Sequence, residues 1–348
     1  MDIFIQKGYY HLSNFKERRV NSLKPKVFIT RKIPAHLLKE LQSVCDISIW
    51  DHEDTPVPRI LLEEKIPDID GLFCLLTEKI DADLLEKANN LKVVSNMAVG
   101  YNNIDVDAAT KKGIIVTNTP GVLTETTADL TFALLMATAR RIPEASEFLR
   151  DGKWNTWSPM LLTGQDIYNS TLGIIGMGRI GEALVRRAKG FNMNILYHNR
   201  KRKLDAEEEL DIQYCPLDKL LKESDFICIM TPYTEETKNM IRKEHFKLMK
   251  DTAILINTAR GGIVNEEDLY HALVSNEIWA AGVDVFEQEP VPRNHQLLTL
   301  PKVVALPHIG SASIATRIKM ANVAVNNLIQ ALKGEIPDHI VNKEIVNL

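Results

Sequence analysis

Three glycines, Gly176, Gly178 and Gly181, stand in G-x-G-x-x-G spacing behind the apolar run Leu172–Ile175 and ahead of good helix formers from Glu182 to Lys189. The first glycine of such a turn permits the tight bend, the second lets backbone approach a pyrophosphate, and the third lets helix and strand pack closely. The anion then meets unpaired N–H groups and the positive end of the helix dipole. Three glycines alone are a weak signal. The preceding strand, the helix and a second strand beyond it make this a dinucleotide site. That second strand ends in His198-Asn199-Arg200-Lys201-Arg202, with no carboxylate before Asp205. A free ribose 2′-hydroxyl is usually met there by Asp or Glu. An acid would repel a 2′-phosphate, whereas a guanidinium pairs with it through forked, charge-assisted hydrogen bonds. NADP(H) is therefore the expected cofactor, with NAD(H) admissible. Arg200 is the first candidate for the phosphate, Lys201 and Arg202 stand behind it, and a solvated basic turn is the plain alternative.

The elements that would hold such a turn follow from the rest of the chain. Its 348 residues, 45% hydrophobic and 25% charged, suit a globular protein of two domains. A formal charge of −4 gives no bulk attraction to nucleic acid or an anionic membrane, and no apolar stretch reaches spanning length. Cys45, Cys74, Cys215 and Cys228 lie far apart, without C-x-x-C or zinc spacing. Reduced thiols, a cytoplasmic location and no metal site are expected. Residues 1–25 are polar and mixed in charge, neither a signal peptide nor strongly periodic, and are expected to be a loosely ordered extension.

From Lys26 onward, strands alternate with helices. Strands are expected at 27–30, 47–50, 71–76, 91–95 and 114–116, and helices at 34–42, 61–65 and 83–88. The loop 96–105 follows a strand's carboxyl end, where open α/β sheets bind ligands. A long apolar helix, 124–139, is expected to be capped by Thr124 and to pack between domains. Trp154 and Trp157 lie in a Gly- and Pro-punctuated loop ending at Gly164. After the glycine turn the rhythm resumes with strands at 226–230, 253–257 and 281–285, a helix at 266–274 and a late helix at 313–332. The expected fold is α/β, two doubly wound parallel sheets, the second unit inserted before the first is complete.

With Asn257-Thr-Ala-Arg260-Gly261-Gly262, Val283-Asp284-Val-Phe-Glu287-Gln-Glu289-Pro290 and Pro307-His308-Ile-Gly310-Ser311, the chain resembles the D-isomer-specific 2-hydroxyacid dehydrogenases from about Lys26 to its end. Gly152-Lys-Trp154-Asn-Thr-Trp157-Ser-Pro159 and the segment 170–181 look like the glyoxylate/hydroxypyruvate reductase branch, which includes 2-ketogluconate reductases. Asn199 departs from the NAD-linked members, which carry an acid there. The resemblance implies a Rossmann-type cofactor domain, 121–305, inserted in a flavodoxin-like substrate domain, 26–120 with 306–348. It also implies a catalytic trio. Arg260 would hold the substrate carboxylate and polarise its carbonyl, since a guanidinium fork fits adjacent carboxylate and keto oxygens. His308 would be the general acid, an imidazole able to give a proton to the forming alkoxide. Glu289 would pair with it. Glu287 is the neighbouring rival, and the position before Pro290 favours Glu289.

For binding, the resemblance assigns the substrate carboxylate to the backbone of Val99 and Gly100. Arg179 and Ile180 fall to the pyrophosphate turn, and Thr231, Thr258, Asp284, His308 and Gly310 to the nicotinamide end. Leu75 and Leu76 could line the substrate pocket or belong to the core. A homodimer is implied, with Trp157, or failing that Trp154, approaching the neighbour's active site. The expected protein is an NADPH-preferring reductase of glyoxylate or hydroxypyruvate. The alternatives are an NAD-linked D-lactate or phosphoglycerate enzyme, and a dinucleotide-sensing corepressor of the same fold. Turnover of glyoxylate separates the last from the others.

Overall fold

The structure is a computed structural model that describes residues 24–347. The expected extension 1–25 lies outside them except for Lys24 and Pro25. One sheet comprises β1 Lys26–Ile29, β2 Asp46–Ile49, β3 Gly71–Cys74, β4 Val93–Asn96 and β5 Ile115–Thr117, all parallel, in the order β2-β1-β3-β4-β5. The other comprises β6 Thr171–Ile175, β7 Asn194–His198, β8 Gln213–Tyr214, β9 Phe226–Ile229, β10 Ile254–Asn257, β11 Ala280–Val283 and β12 Val303–Ala305. It is also parallel, in the order β12-β11-β10-β9-β6-β7-β8. These are the flavodoxin-like and Rossmann-like orders, as expected. In each, the chain switches sides beside the first strand, and ligands bind beyond the carboxyl ends there.

Parallel strands covered on both faces need continuous apolar runs. Phe-Ile-Cys-Ile in β9 and Ile-Leu-Ile-Asn in β10 are buried throughout. The late helix, Ile314–Leu332, carries the chain back to the first sheet. Its Met320, Ala321, Ala324, Val325 and Leu328 join a core with Val27, Ile29, Phe73 and Val93. The Ser95 hydroxyl donates to the Ala324 carbonyl at 2.8 Å inside that contact.

The helix Thr124–Ala139 has the expected bounds but not the expected cap. Leu123 occupies its N-cap without a side-chain hydrogen bond, so Thr124 is the first helical residue rather than the cap. Phe132, Leu134 and Leu135 are buried in the second sheet's core, and the helix packs on β10, β11 and the helix Arg179–Lys189. Its apolar character therefore has an explanation within one chain. Its first turn also meets the late helix, where the hydroxyls of Thr126 and Thr316 lie 2.6 Å apart. The helix Ile142–Arg150 is not among the expected elements; it sets Ile142, Ala145 and Leu149 at helical spacing yet buries none of its residues. Nor are the edge strands β8 and β12, of two and three residues. No helix among the described residues is long and apolar enough to cross a membrane.

Candidate active site

The glycine turn sits at the carboxyl end of β6, beside the switch point, and each glycine has its own steric reason. Gly176 has φ +103°, and a Cβ on it would lie 2.5 Å from the Thr231 nitrogen. Only glycine fits there. A Cβ on Gly181 would lie 3.0 Å from the Gly176 carbonyl oxygen, so helix and turn are in close contact. A Cβ on Gly178 would meet nothing within 4 Å. Gly178 is the N-cap of the eleven-residue helix Arg179–Lys189, and no side chain caps it. The helix therefore presents N–H groups and its positive end to an open, glycine-floored space with Arg179 and Ile180 at its first turn. These are the features a dinucleotide pyrophosphate requires, so the residues fit that group.

The basic stretch after β7 divides. Asn199 Oδ1 accepts the Met177 N–H at 2.7 Å and its Nδ2 donates to the Met177 carbonyl at 3.3 Å. Asn199 thus braces the glycine turn. Arg202 is occupied by Glu207, with Nε and Nη2 contacts of 2.8 and 2.6 Å, and Lys203 by Glu182. Arg200 and Lys201 are exposed and make no hydrogen bond or ion pair among the described residues. Arg202, held behind Arg200 in the sequence reading, is the one already committed elsewhere.

Arg260, beyond β10, reaches across to the loop after β4. Its Nε donates to Asn102 Oδ1 at 3.2 Å and its Nη1 to the Ala259 carbonyl at 2.7 Å. A Cβ on Gly100 would stand 1.9 Å from Arg260 Nη2. Glycine at 100 is what lets the guanidinium lie against this loop. Burial pulls the Arg260 pKa below the ordinary arginine range, and the charge of Glu289 opposes that. An arginine still keeps its proton at any working pH.

His308 Nδ1 and Glu289 Oε2 are 2.7 Å apart, with 24% and 28% of the two side chains exposed, sheltered but reachable. The other oxygen of Glu289 accepts the Phe286 N–H at 3.0 Å. Burial alone would raise the Glu289 pKa. The hydrogen bond and charge of His308, the Phe286 N–H and Arg260 outweigh it and hold it below the usual carboxylate range. Glu287 is exposed and does not touch the imidazole. Its N–H is held instead by Glu266 at 2.6 Å, whose second oxygen pairs with His295 Nε2 at 3.0 Å.

His308 has φ +55°, an unusual backbone for a residue with a side chain. Asp284, fully buried, imposes it: its two oxygens accept the N–H groups of Ile309 and Gly310, both at 2.8 Å. Burial raises the Asp284 pKa. Asp284, expected beside the nicotinamide, thus uses one acceptor position on each oxygen to hold the loop that carries His308. Thr258 is similarly engaged. Thr131 gives its proton to the Thr127 carbonyl at 2.8 Å, so at the 2.7 Å contact between the two hydroxyls Thr258 must be the donor. The Thr258 oxygen keeps only acceptor capacity for a ligand.

Leu75 and Leu76, left open by the sequence, are half-buried at the end of β3, and Leu75 packs on the first sheet's core. A buried cluster behind them was not foreseen. Glu78 accepts from the Thr30 hydroxyl at 2.7 Å and the Leu75 N–H at 2.8 Å, and Arg31 Nη2 lies 3.3 Å away. The signal was a lone acid in Thr77-Glu78-Lys79, which reads as a surface turn until the fold closes over it.

The chain is similar to known proteins over most of its length. Residues 132–310 match the family model described as D-isomer specific 2-hydroxyacid dehydrogenase, NAD binding domain. A glyoxylate reductase of Korarchaeum cryptofilum is 52% identical over 94% of this chain and 98% of its own. One from Pyrococcus furiosus is 49% identical over 94% and 98%. Among solved structures, an NADPH-dependent glyoxylate/hydroxypyruvate reductase from Sinorhizobium meliloti, in complex with NADP and malonate, superposes with TM-score 0.80. It has 32% identity and covers 92% of this chain and 97% of that one.

Proposed function

This chain belongs to the D-isomer-specific 2-hydroxyacid dehydrogenase family, and from that premise we propose an NADPH-preferring reductase of short 2-keto acids. Glyoxylate comes first, hydroxypyruvate next and 2-ketogluconate after them. One observation carries the reading: a guanidinium laid against a glycine loop, with a His–Glu pair on the neighbouring strand ends. Arg260 and the backbone of Val99 and Gly100 hold the carboxylate and turn the keto oxygen toward the guanidinium, where developing negative charge is stabilised. A reduced nicotinamide, when bound, supplies the hydride to the keto carbon. His308 gives its proton to the nascent alkoxide, and Glu289, 2.7 Å from its Nδ1, holds the ring in place. Gly176, Gly178, Arg179, Ile180 and Gly181 would hold the pyrophosphate, with Thr231, Thr258, Asp284 and Gly310 toward the nicotinamide. The division into a substrate domain, 26–120 with 306–348, and a cofactor domain, 121–305, belongs to the same proposal. The four buried, free cysteines support a reducing, cytoplasmic setting. A panel of 2-keto acids with NADPH and NADH, followed by nicotinamide absorbance, tests the proposal. Turnover of none of them would end it.

Preference for NADPH is assigned to the unpaired Arg200. Arg200→Ala should weaken NADPH about ten- to a hundredfold, ~1.5–3 kcal/mol, and NADH little. Adding Asn199→Asp should move the preference further toward NADH. Equal losses for both cofactors would remove Arg200 from the role.

A homodimer completes the proposal. The helix Thr124–Ala139 gives it no support, since its apolar residues are buried in the second sheet's core. What supports it is the segment beyond, where Trp154 is 56%, Trp157 76% and Met160 76% exposed. Exposed aromatic and apolar side chains gathered on one segment are the kind of surface a partner would cover. Light scattering should give twice the chain mass at micromolar concentration. Trp157→Ala should alter substrate KM if this indole approaches the neighbour's site. A monomer refutes the first expectation, and unchanged kinetics refute the second.

A further inference from the structure

We propose that Asn118 and Asn96 are substrate-positioning residues, which turn three consecutive peptide N–H groups into a carboxylate-binding nest. The inference deepens the site just proposed and rests on that reading. Three successive carbonyls of the loop after β4 are tied back into the protein. The Ala98 carbonyl accepts the Thr119 N–H at 2.9 Å, the Val99 carbonyl accepts Asn118 Nδ2 at 2.8 Å, and the Gly100 carbonyl accepts Asn96 Nδ2 at 3.0 Å. The only cis peptide among the described residues is Glu289–Pro290, so these three are trans. In a trans peptide the N–H points away from the carbonyl of the same plane. Fixing those carbonyls therefore aims the N–H groups of Val99, Gly100 and Tyr101 the other way. None of the three donates to an acceptor among the described residues. The Arg260 guanidinium lies against the same loop at Gly100. Successive N–H groups converging beside a cation make an anion site.

The asparagines are themselves fixed. Asn118 donates its own N–H to the His339 carbonyl at 3.2 Å, and its carbonyl accepts Asn327 Nδ2 at 3.1 Å. Asn96 closes β4, is fully buried, and also directs Nδ2 toward Asn103 Oδ1 at 3.3 Å. Each position requires a donor, which the amide Nδ2 supplies, because the atom facing the carbonyl must donate. An isosteric aspartate cannot donate when ionised, and would set a charged oxygen against the peptide oxygen.

The test is Asn118→Asp, with Asn118→Leu as the uncharged counterpart, assayed with glyoxylate and NADPH. Both should raise the KM for glyoxylate by ~10–100-fold, leaving kcat within about threefold and NADPH affinity unchanged, the pattern of lost ground-state binding. Unchanged KM, or parallel losses of KM, kcat and NADPH affinity, would overturn the assignment. A measurement on the unaltered protein guards against a variant that fails to fold. In the NADPH complex, the amide ¹⁵N–¹H signals of Val99, Gly100 and Tyr101 should shift on saturation with oxalate. If oxalate binds and those three do not respond, the nest is refuted. If they respond and glyoxylate is not reduced, the reductase reading falls while the nest stands.

Discussion

His308→Ala should lower kcat for glyoxylate by about 10²–10⁴-fold, the usual contribution of a positioned acid, while NADPH binding is largely kept. Reduction consumes a proton, so kcat/KM should be high while the His308–Glu289 pair holds its proton and fall as pH rises through its loss. His308 Nδ1 lies 2.7 Å from Glu289 Oε2, and this partner helps to hold the Glu289 carboxyl below the usual carboxylate range against the effect of burial. Glu289→Gln keeps the shape and removes the charge, so the falling limb should move to lower pH. Each unit of movement corresponds to about 1.4 kcal/mol of lost coupling. Glu287→Gln is the control, because that carboxylate is exposed and only its backbone is engaged. A limb moved by Glu287 and not by Glu289 would reverse the two roles, and a limb moved by neither would dissolve the pair.

Arg260→Ala should reduce kcat by ~10²–10³-fold, the scale of losing a donor aimed at developing charge, and raise the KM for glyoxylate by ~10–100-fold as its carboxylate loses a charged partner. The combination separates this residue from His308, whose loss should fall almost wholly on kcat. Arg260→Lys should recover little, because an ammonium has no fork to span adjacent carboxylate and keto oxygens. A lysine variant with wild-type KM would mean that charge alone, and not bidentate geometry, holds the substrate.

The parts legible in the sequence are those whose physics is local. Gly176, Gly178 and Gly181 declare themselves because turn, approach and packing act within six residues of chain. The apolar runs of β6, β9 and β10 are visible because a doubly covered parallel strand has no polar face. Asn199 in place of an acid is visible for the same reason. Arg202 stands as a reserve behind Arg200 in the sequence because what removes it, Glu207, lies on the next helix. Asp284 is assigned to the nicotinamide end by resemblance, and nothing in its neighbours reveals that the N–H groups of Ile309 and Gly310 also return to it from 25 and 26 residues on. Asn96 and Asn118 look like ordinary strand-end and turn residues until the fold brings them to two carbonyls of one loop. The pairing of Glu289 with His308 came from resemblance. Its geometry needed two strand ends side by side, which no spacing along the chain encodes.

The most direct test uses NADPH deuterated at the transferable C4 position, mixed with enzyme and glyoxylate, with the product read by mass spectrometry. The account predicts glycolate heavier by one deuterium on C2, formed in step with NADPH oxidation and abolished along with it in the His308→Ala, Arg260→Ala double variant. NADPH that binds while glyoxylate stays unreduced would contradict it, and would point to a dinucleotide-sensing protein on the same fold.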